Sequence, residues 1–100
     1  MARTPIHPGE ILGDELEEIG ISAAGLARTL EVPANRISQI IARKRAISAD
    51  TALRLARYFG TTPDFWMNLQ KTYELRLAER ALPGKVRKHI EQHREALVSA

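Results

Sequence analysis

Two stretches with helical periodicity, Ser22 to Glu31 and Pro33 to Arg43, meet at Val32-Pro33 with almost no linker between them. Proline has no N–H to donate and its ring collides with the turn before it, so one helix cannot run through this point. The connection is also too short for the two helices to fold back as an antiparallel hairpin. They must cross at a sharp angle, which is the geometry of a helix-turn-helix. Ser22 supplies the side-chain oxygen of an N-cap, and Leu26, Ala27 and Leu30 fall on one inward face of the first helix. In the second, Ile37, Ile40 and Ile41 share an arc, while Asn35, Arg36, Ser38, Gln39, Ala42 and Arg43 fill the opposite one.

The rest of the chain reads as further helices. Pro8 suits the first position of a helix, with Glu10 near its positive end and Leu12, Leu16 and Ile19 forming an inward stripe up to Gly20. Ser48 caps a fourth helix, with Asp50 in its first turn, a core face of Ala52, Leu55, Ala56 and Phe59, and a stop at Gly60. Thr62-Pro63-Asp64 repeats the start signal for a fifth helix running to about Leu82, roughly 28 Å long and more than a small helical core needs. Pro83-Gly84 breaks it. Val86 to Val98 then reads as a basic amphipathic helix, with Val86, Ile90 and Leu97 on one side. No segment shows the alternation of a strand, so the expected fold is all-α. Residues 1–82 are expected to form the domain and residues 83–100 a basic C-terminal extension.

Charge is distributed unevenly among these pieces. Residues 1–27 balance at −4, residues 28–57 at +5, and the remainder at +2. The helix-turn-helix and the helix after it are therefore where a polyanion would bind. There are no cysteines, hence no disulfide framework, no thiolate metal site and no demand for an oxidising compartment. No run approaches the roughly 20 apolar residues of a membrane span, and Met1 to Pro8 lack the apolar centre of a secretion signal. A cytoplasmic protein is expected. At 100 residues, a partner subunit would add to a modest core.

The outer arc of the third helix carries side chains that suit base edges. Asn35 and Gln39 can pair bidentately with adenine, Arg36 with guanine, and Ser38 with donors or acceptors. The first turn, Ala34 to Ser38, would enter the major groove of double-stranded DNA, and Arg43-Lys44-Arg45 would reach flanking phosphates. Arg28 and Thr29 on the second helix, and the helix N-terminus at Ser22, would contact phosphates alongside. A short amphipathic helix often has a polar face only to meet water, but such a face normally mixes both signs of charge, and this arc has no acid. The same fold used as a protein-interaction module would show no salt-dependent affinity for duplex.

His89 and His93 stand four apart on one helical face, a spacing used by zinc enzymes. Glu91 is misplaced for the H-E-x-x-H pattern and no third ligand is evident, so a solvated face is the expected reading, with no metal or other cofactor. His7, before Pro8, reads as a packing or capping residue, with no nucleophile or acid placed to make a catalytic pair. No enzyme is expected.

His7-Pro8-Gly9-Glu10-Ile11-Leu12, Ile37-Ser38-Gln39-Ile40-Ile41, the run Arg45 to Gly60, and Phe65-Trp66-Met67-Asn68-Leu69-Gln70 together resemble the HigA/VapI-type antitoxins of the phage-repressor-like (Xre) helix-turn-helix group. The resemblance covers about residues 4 to 82 in order. It implies a five-helix domain acting as a homodimer on a palindromic operator, repressing its own operon, and neutralising an RNase toxin of the HigB type that cleaves messenger RNA. Orphan regulators of this family without a toxin also exist. Many phage-repressor relatives have glutamine at the start of both motif helices, where this chain has Ser22 and Ala34-Asn35, so the operator sequence does not carry over. Trp66, Leu69, Tyr73, Leu77 and Leu82 are the expected dimerisation residues on the long fifth helix. Phe65, Trp66 and Leu69 also suit the domain core. The acidic first helix is expected to lie away from the DNA-reading surface, where a basic toxin could dock.

Overall fold

A computed structural model describes residues 4–99. Met1 to Arg3 lie outside them, and with them the one base of the acidic N-terminal third and the start of the segment tested for a secretion signal; so does Ala100. The described residues form helices α1 (Pro8–Ile19), α2 (Ala23–Leu30), α3 (Ala34–Ile41), α4 (Ala49–Phe59), α5 (Pro63–Ala81) and α6 (Gly84–Ser99), without a strand among them.

Helix starts follow side-chain chemistry. Ser22 Oγ accepts from the Gly25 N–H, Ser48 Oγ from Thr51 and Thr62 Oγ1 from Phe65, each satisfying an amide that has no partner within its own helix. At α1 the cap is His7, whose side-chain Nδ1 accepts from the Gly9 N–H at 2.9 Å while the His7 backbone N–H donates to Glu10 Oε2 at 3.0 Å. That reciprocal pair is a capping box with imidazole in the place of a hydroxyl.

Helix ends differ more from expectation. Gly20 and Gly60 close α1 and α4 in the left-handed region, with φ 72° and 70°. Glu31 and Arg43, at φ 57° and 64°, perform the same turn after α2 and α3 without being glycine. Each turn is closed across the helix end, Val32 N–H donating to Ala27 O at 3.0 Å and Lys44 N–H to Gln39 O at 2.8 Å. So α2 ends at Glu31, before the proline is reached. Pro33 is the N-cap of α3 and not its first residue, and α3 stops at Ile41, short of Arg43.

The core is built from Leu12 and Leu16 of α1, Leu26, Ala27 and Leu30 of α2, Ile37 and Ile40 of α3, Ile47 of the α3–α4 loop, Ala52, Leu55 and Ala56 of α4, and Trp66 of α5. Burying each large aliphatic side chain contributes on the order of 1.5–3 kcal/mol. Ile19, expected in the α1 stripe, is exposed, because α1 ends one turn beyond the surface that covers Leu12 and Leu16. Two polar contacts fix the loops: buried Gln70 accepts the Ile47 N–H at 2.9 Å, and Trp66 Nε1–H donates to Thr61 Oγ1 at 2.9 Å. Beyond Tyr73 every residue of α5 is exposed, and α6 buries none of its residues. The molecule is accordingly elongated, 58 × 24 × 21 Å. Among the described residues no helix is long and apolar enough to cross a membrane.

Candidate nucleic-acid interface

The turn Glu31–Pro33 sets α3 across α2, and Ile37 and Ile40, fully buried, anchor α3 by one side. The opposite side faces outward: Ala34, Asn35 and Ser38 are exposed and Gln39 is half-buried. Ser38 Oγ donates to the Asn35 and Ala34 carbonyls at 3.3 and 3.5 Å, so its hydroxyl is held against its own helix. Beyond the helix end, Arg43, Lys44 and Arg45 are all exposed, as are Ser22 at the N-cap of α2 and Arg28 and Thr29 on that helix. The hydroxyl of Thr29 likewise bonds back to the Gly25 carbonyl, at 3.2 Å. All eleven residues singled out for DNA contact therefore lie on α2 and its N-cap, on α3 and on the turn after it, and none is buried under another element.

Two of the cations are already engaged. Arg36 Nη1 donates to Asp50 Oδ2 at 2.7 Å, and the same oxygen accepts from Arg54 Nε at 3.1 Å. Arg54 Nη1 also donates to the Leu30 carbonyl, at 2.6 Å, closing one of the last carbonyls of α2. The hydrogen bond from Arg54, aided by that from Arg36, holds the Asp50 carboxyl below its ordinary value of 3.8. At the far end of α3, Arg43 Nη2 donates to Glu10 Oε1 at 2.9 Å. This corrects the expectation that the acidic first helix stands wholly clear of the reading surface: its first turn touches it, while Asp14, Glu15, Glu17 and Glu18 are exposed. Asp50 and Arg54 were not among the expected site residues. Their i, i+4 spacing on α4 is readable as a helical ion pair, but the reach to α3 and to the α2 carbonyl is set by helix placement.

The expected partner-facing residues of α5 divide. Trp66 is 1% exposed and belongs to its own core, its ring tilted against Phe59 at 5.6 Å, so it is not a surface for a second subunit. Its neighbour Phe65, read as core, is instead 43% exposed. Leu69 is half-buried, Tyr73 stands edge-on to the His7 ring at 4.8 Å, and Leu77 and Leu82 are exposed. A groove of about 320 Å³, walled by Ile6, Ile11, Phe65, Leu69, Tyr73 and Arg76, runs beside them. His89 and His93 are both exposed on α6. Among the described residues no group of three His, Cys, Asp or Glu side chains is placed to hold a metal ion.

The model of the helix-turn-helix family matches residues 12–66, which contain α2, α3 and α4 and the buried Trp66. The chain belongs to the helix-turn-helix family. Its relatives within that family include virulence-associated proteins and HigA antitoxins. Virulence-associated protein I of Dichelobacter nodosus is 51% identical over 76 residues, 75% of this chain and 70% of its own length. Antitoxin HigA-1 of Vibrio cholerae is 38% identical over 74 residues, 73% of this chain and 70% of the relative. Among solved structures, antitoxin HigA of Pseudomonas aeruginosa with the higBA promoter is similar at 55% identity and a TM-score of 0.79, over 85% of this chain and 92% of that one. In helix-turn-helix proteins the second helix of the motif is the one that enters a groove, and α3 occupies that place in this chain, with α2 in the place of the supporting helix.

Proposed function

We propose that this helix-turn-helix protein is a sequence-specific DNA-binding transcriptional repressor and the antitoxin of a HigBA-type system, repressing its own operon and neutralising an mRNA-cleaving toxin. The observation that carries the reading is the outer side of α3. It is polar, free of acids along its own length, anchored from behind by Ile37 and Ile40, and followed by three successive exposed cations. A related protein was solved with its promoter, which supports the same use of this surface here.

Phosphate contacts from Arg28, Lys44 and Arg45 supply affinity without sequence information, and Asn35, Arg36 and Gln39 read base edges. One α3 spans only half a site. A two-fold dimer placing two α3 helices in successive major grooves, about 34–36 Å apart, is the arrangement that reads a palindrome. Exposed Phe65 and Leu77 of α5 and Leu82 at its C-cap, with the half-buried Leu69 and Tyr73, are the surface for that second copy. Bound across a promoter, the dimer would block RNA polymerase.

The test is a gel-shift titration of the purified protein against the duplex upstream of its own gene and against random duplex at the same salt. Retardation of the upstream DNA at concentrations several hundredfold below the random duplex is expected. Equal retardation, or none at low ionic strength, refutes DNA reading. Co-expression with any adjacent RNase-like gene then tests the antitoxin role: growth should be restored and the two products should copurify.

A further inference from the structure

We infer that Asp50, on α4, is a specificity-determining positioning residue of the DNA-reading surface, acting through Arg36; the inference rests on the DNA-binding role proposed above. Three observations meet at this carboxylate. Its Oδ2 accepts from Arg36 Nη1 at 2.7 Å and from Arg54 Nε at 3.1 Å, so it cannot swing aside without losing both. Arg54 is itself tied to the Leu30 carbonyl at 2.6 Å, which fixes the whole assembly to the end of α2. Arg36 stands in the first turn of α3, the turn that meets base edges, and its side chain remains 27% exposed.

An unpaired arginine at that position would be a long flexible cation that any phosphate satisfies. Such a contact strengthens binding to all sequences alike. Pairing with Asp50 changes both properties. The charge is partly offset by the carboxylate that Arg36 shares with Arg54, so attraction to phosphate alone is weakened. The guanidinium is also held in one orientation before DNA arrives, with one of its five N–H donors taken and the others left for a base edge. The arrangement therefore penalises random duplex more than a site offering acceptors where Arg36 points.

The experiment measures operator and random-duplex affinities of the full chain across a salt series for the wild type, Asp50→Asn, Asp50→Glu, Arg36→Ala and the double variant Asp50→Asn/Arg36→Ala. Asp50→Asn should bind random duplex more tightly, with a salt slope steeper by about one unit, and its operator-over-random ratio should fall roughly tenfold. Asp50→Glu should recover part of that ratio. In the Arg36→Ala background Asp50→Asn should lower the ratio no further, because the group it positions is gone. An unchanged ratio in Asp50→Asn, or an equal fall with and without Arg36, overturns the inference while leaving DNA reading intact. A wild type that does not discriminate overturns the DNA reading and this inference with it. If Asp50→Asn fails to fold, Asp50→Ser carries the same expectations.

Discussion

The Cα of Gly9 lies against the backbone carbonyl of Ile40, so that a Cβ added at position 9 would sit 2.7 Å from the carbonyl carbon and closer still to its oxygen. This is where α1 crosses α3, backbone against backbone. Neither partner can rotate away as a side chain could. Gly9→Ala should therefore push α1 off the end of the reading helix and destabilise the domain by roughly 1–3 kcal/mol or more. Chemical denaturation measures this directly; a variant as stable as the parent would show that the two helices separate without cost.

The cap of α1 makes stability depend on pH. The imidazole of His7 is held below its ordinary value of 6.5, chiefly because burial disfavours the charged ring, next because of Arg43, with Glu10 opposing. Its Nδ1 must also stay unprotonated to accept from Gly9. As pH falls, the unfolded chain takes up this proton before the folded one. The stabilisation is complete above about pH 6.5 and is lost as pH falls from there through the lowered folded-state value. Thermal melting should show this decline, and His7→Asn, which keeps a capping acceptor but does not titrate, should remove that part of it. An identical acid slope in His7→Asn would assign the effect elsewhere.

Base reading and phosphate attraction should separate by mutation. Gln39→Ala is expected to cost about 1–3 kcal/mol on the operator and little on random duplex. Lys44→Ala should weaken both alike and flatten the salt slope by about one unit. Equal losses for Gln39→Ala on the two duplexes would take Gln39 out of the base-reading set.

Leu77 is 42% exposed on the part of α5 that has left the core, so a charge there does not disturb the fold of one subunit. Leu77→Asp should sediment as a folded monomer, with operator affinity reduced at least tenfold through loss of the second half-site contact. A dimer that survives this change would move the interface off the outer half of α5.

Much of this was readable from single residues. Ser22, Ser48 and Thr62 start their helices by the expected side-chain caps, and Gly20 and Gly60 end theirs. What escaped is what depends on other elements. Glu31 and Arg43 turn left-handed without glycine, which no local signal announces, so α3 was expected to be longer than it is. Trp66 and Phe65 are adjacent and both aromatic, and only the placement of α4 and α1 decides that the first is core and the second exposed. The grip of Gln70 on the Ile47 amide and the reach of Arg54 to the Leu30 carbonyl span 23 and 24 residues, beyond any helical period. The outward side of α3 was legible because Ile37, Ile40 and Ile41 mark the inward one.

Arg43 closes α3 at φ 64°, a conformation that disfavours any side chain and suits glycine. Replacing it with glycine would relieve that backbone and forfeit only a solvent-exposed ion pair with Glu10. Arg43→Gly should thus be as stable as the parent, or up to about 1 kcal/mol more so, yet bind duplex of every sequence more weakly. Folding and DNA affinity place opposite demands on this one position, and a protein selected for robustness alone would drift away from the cation it now holds there.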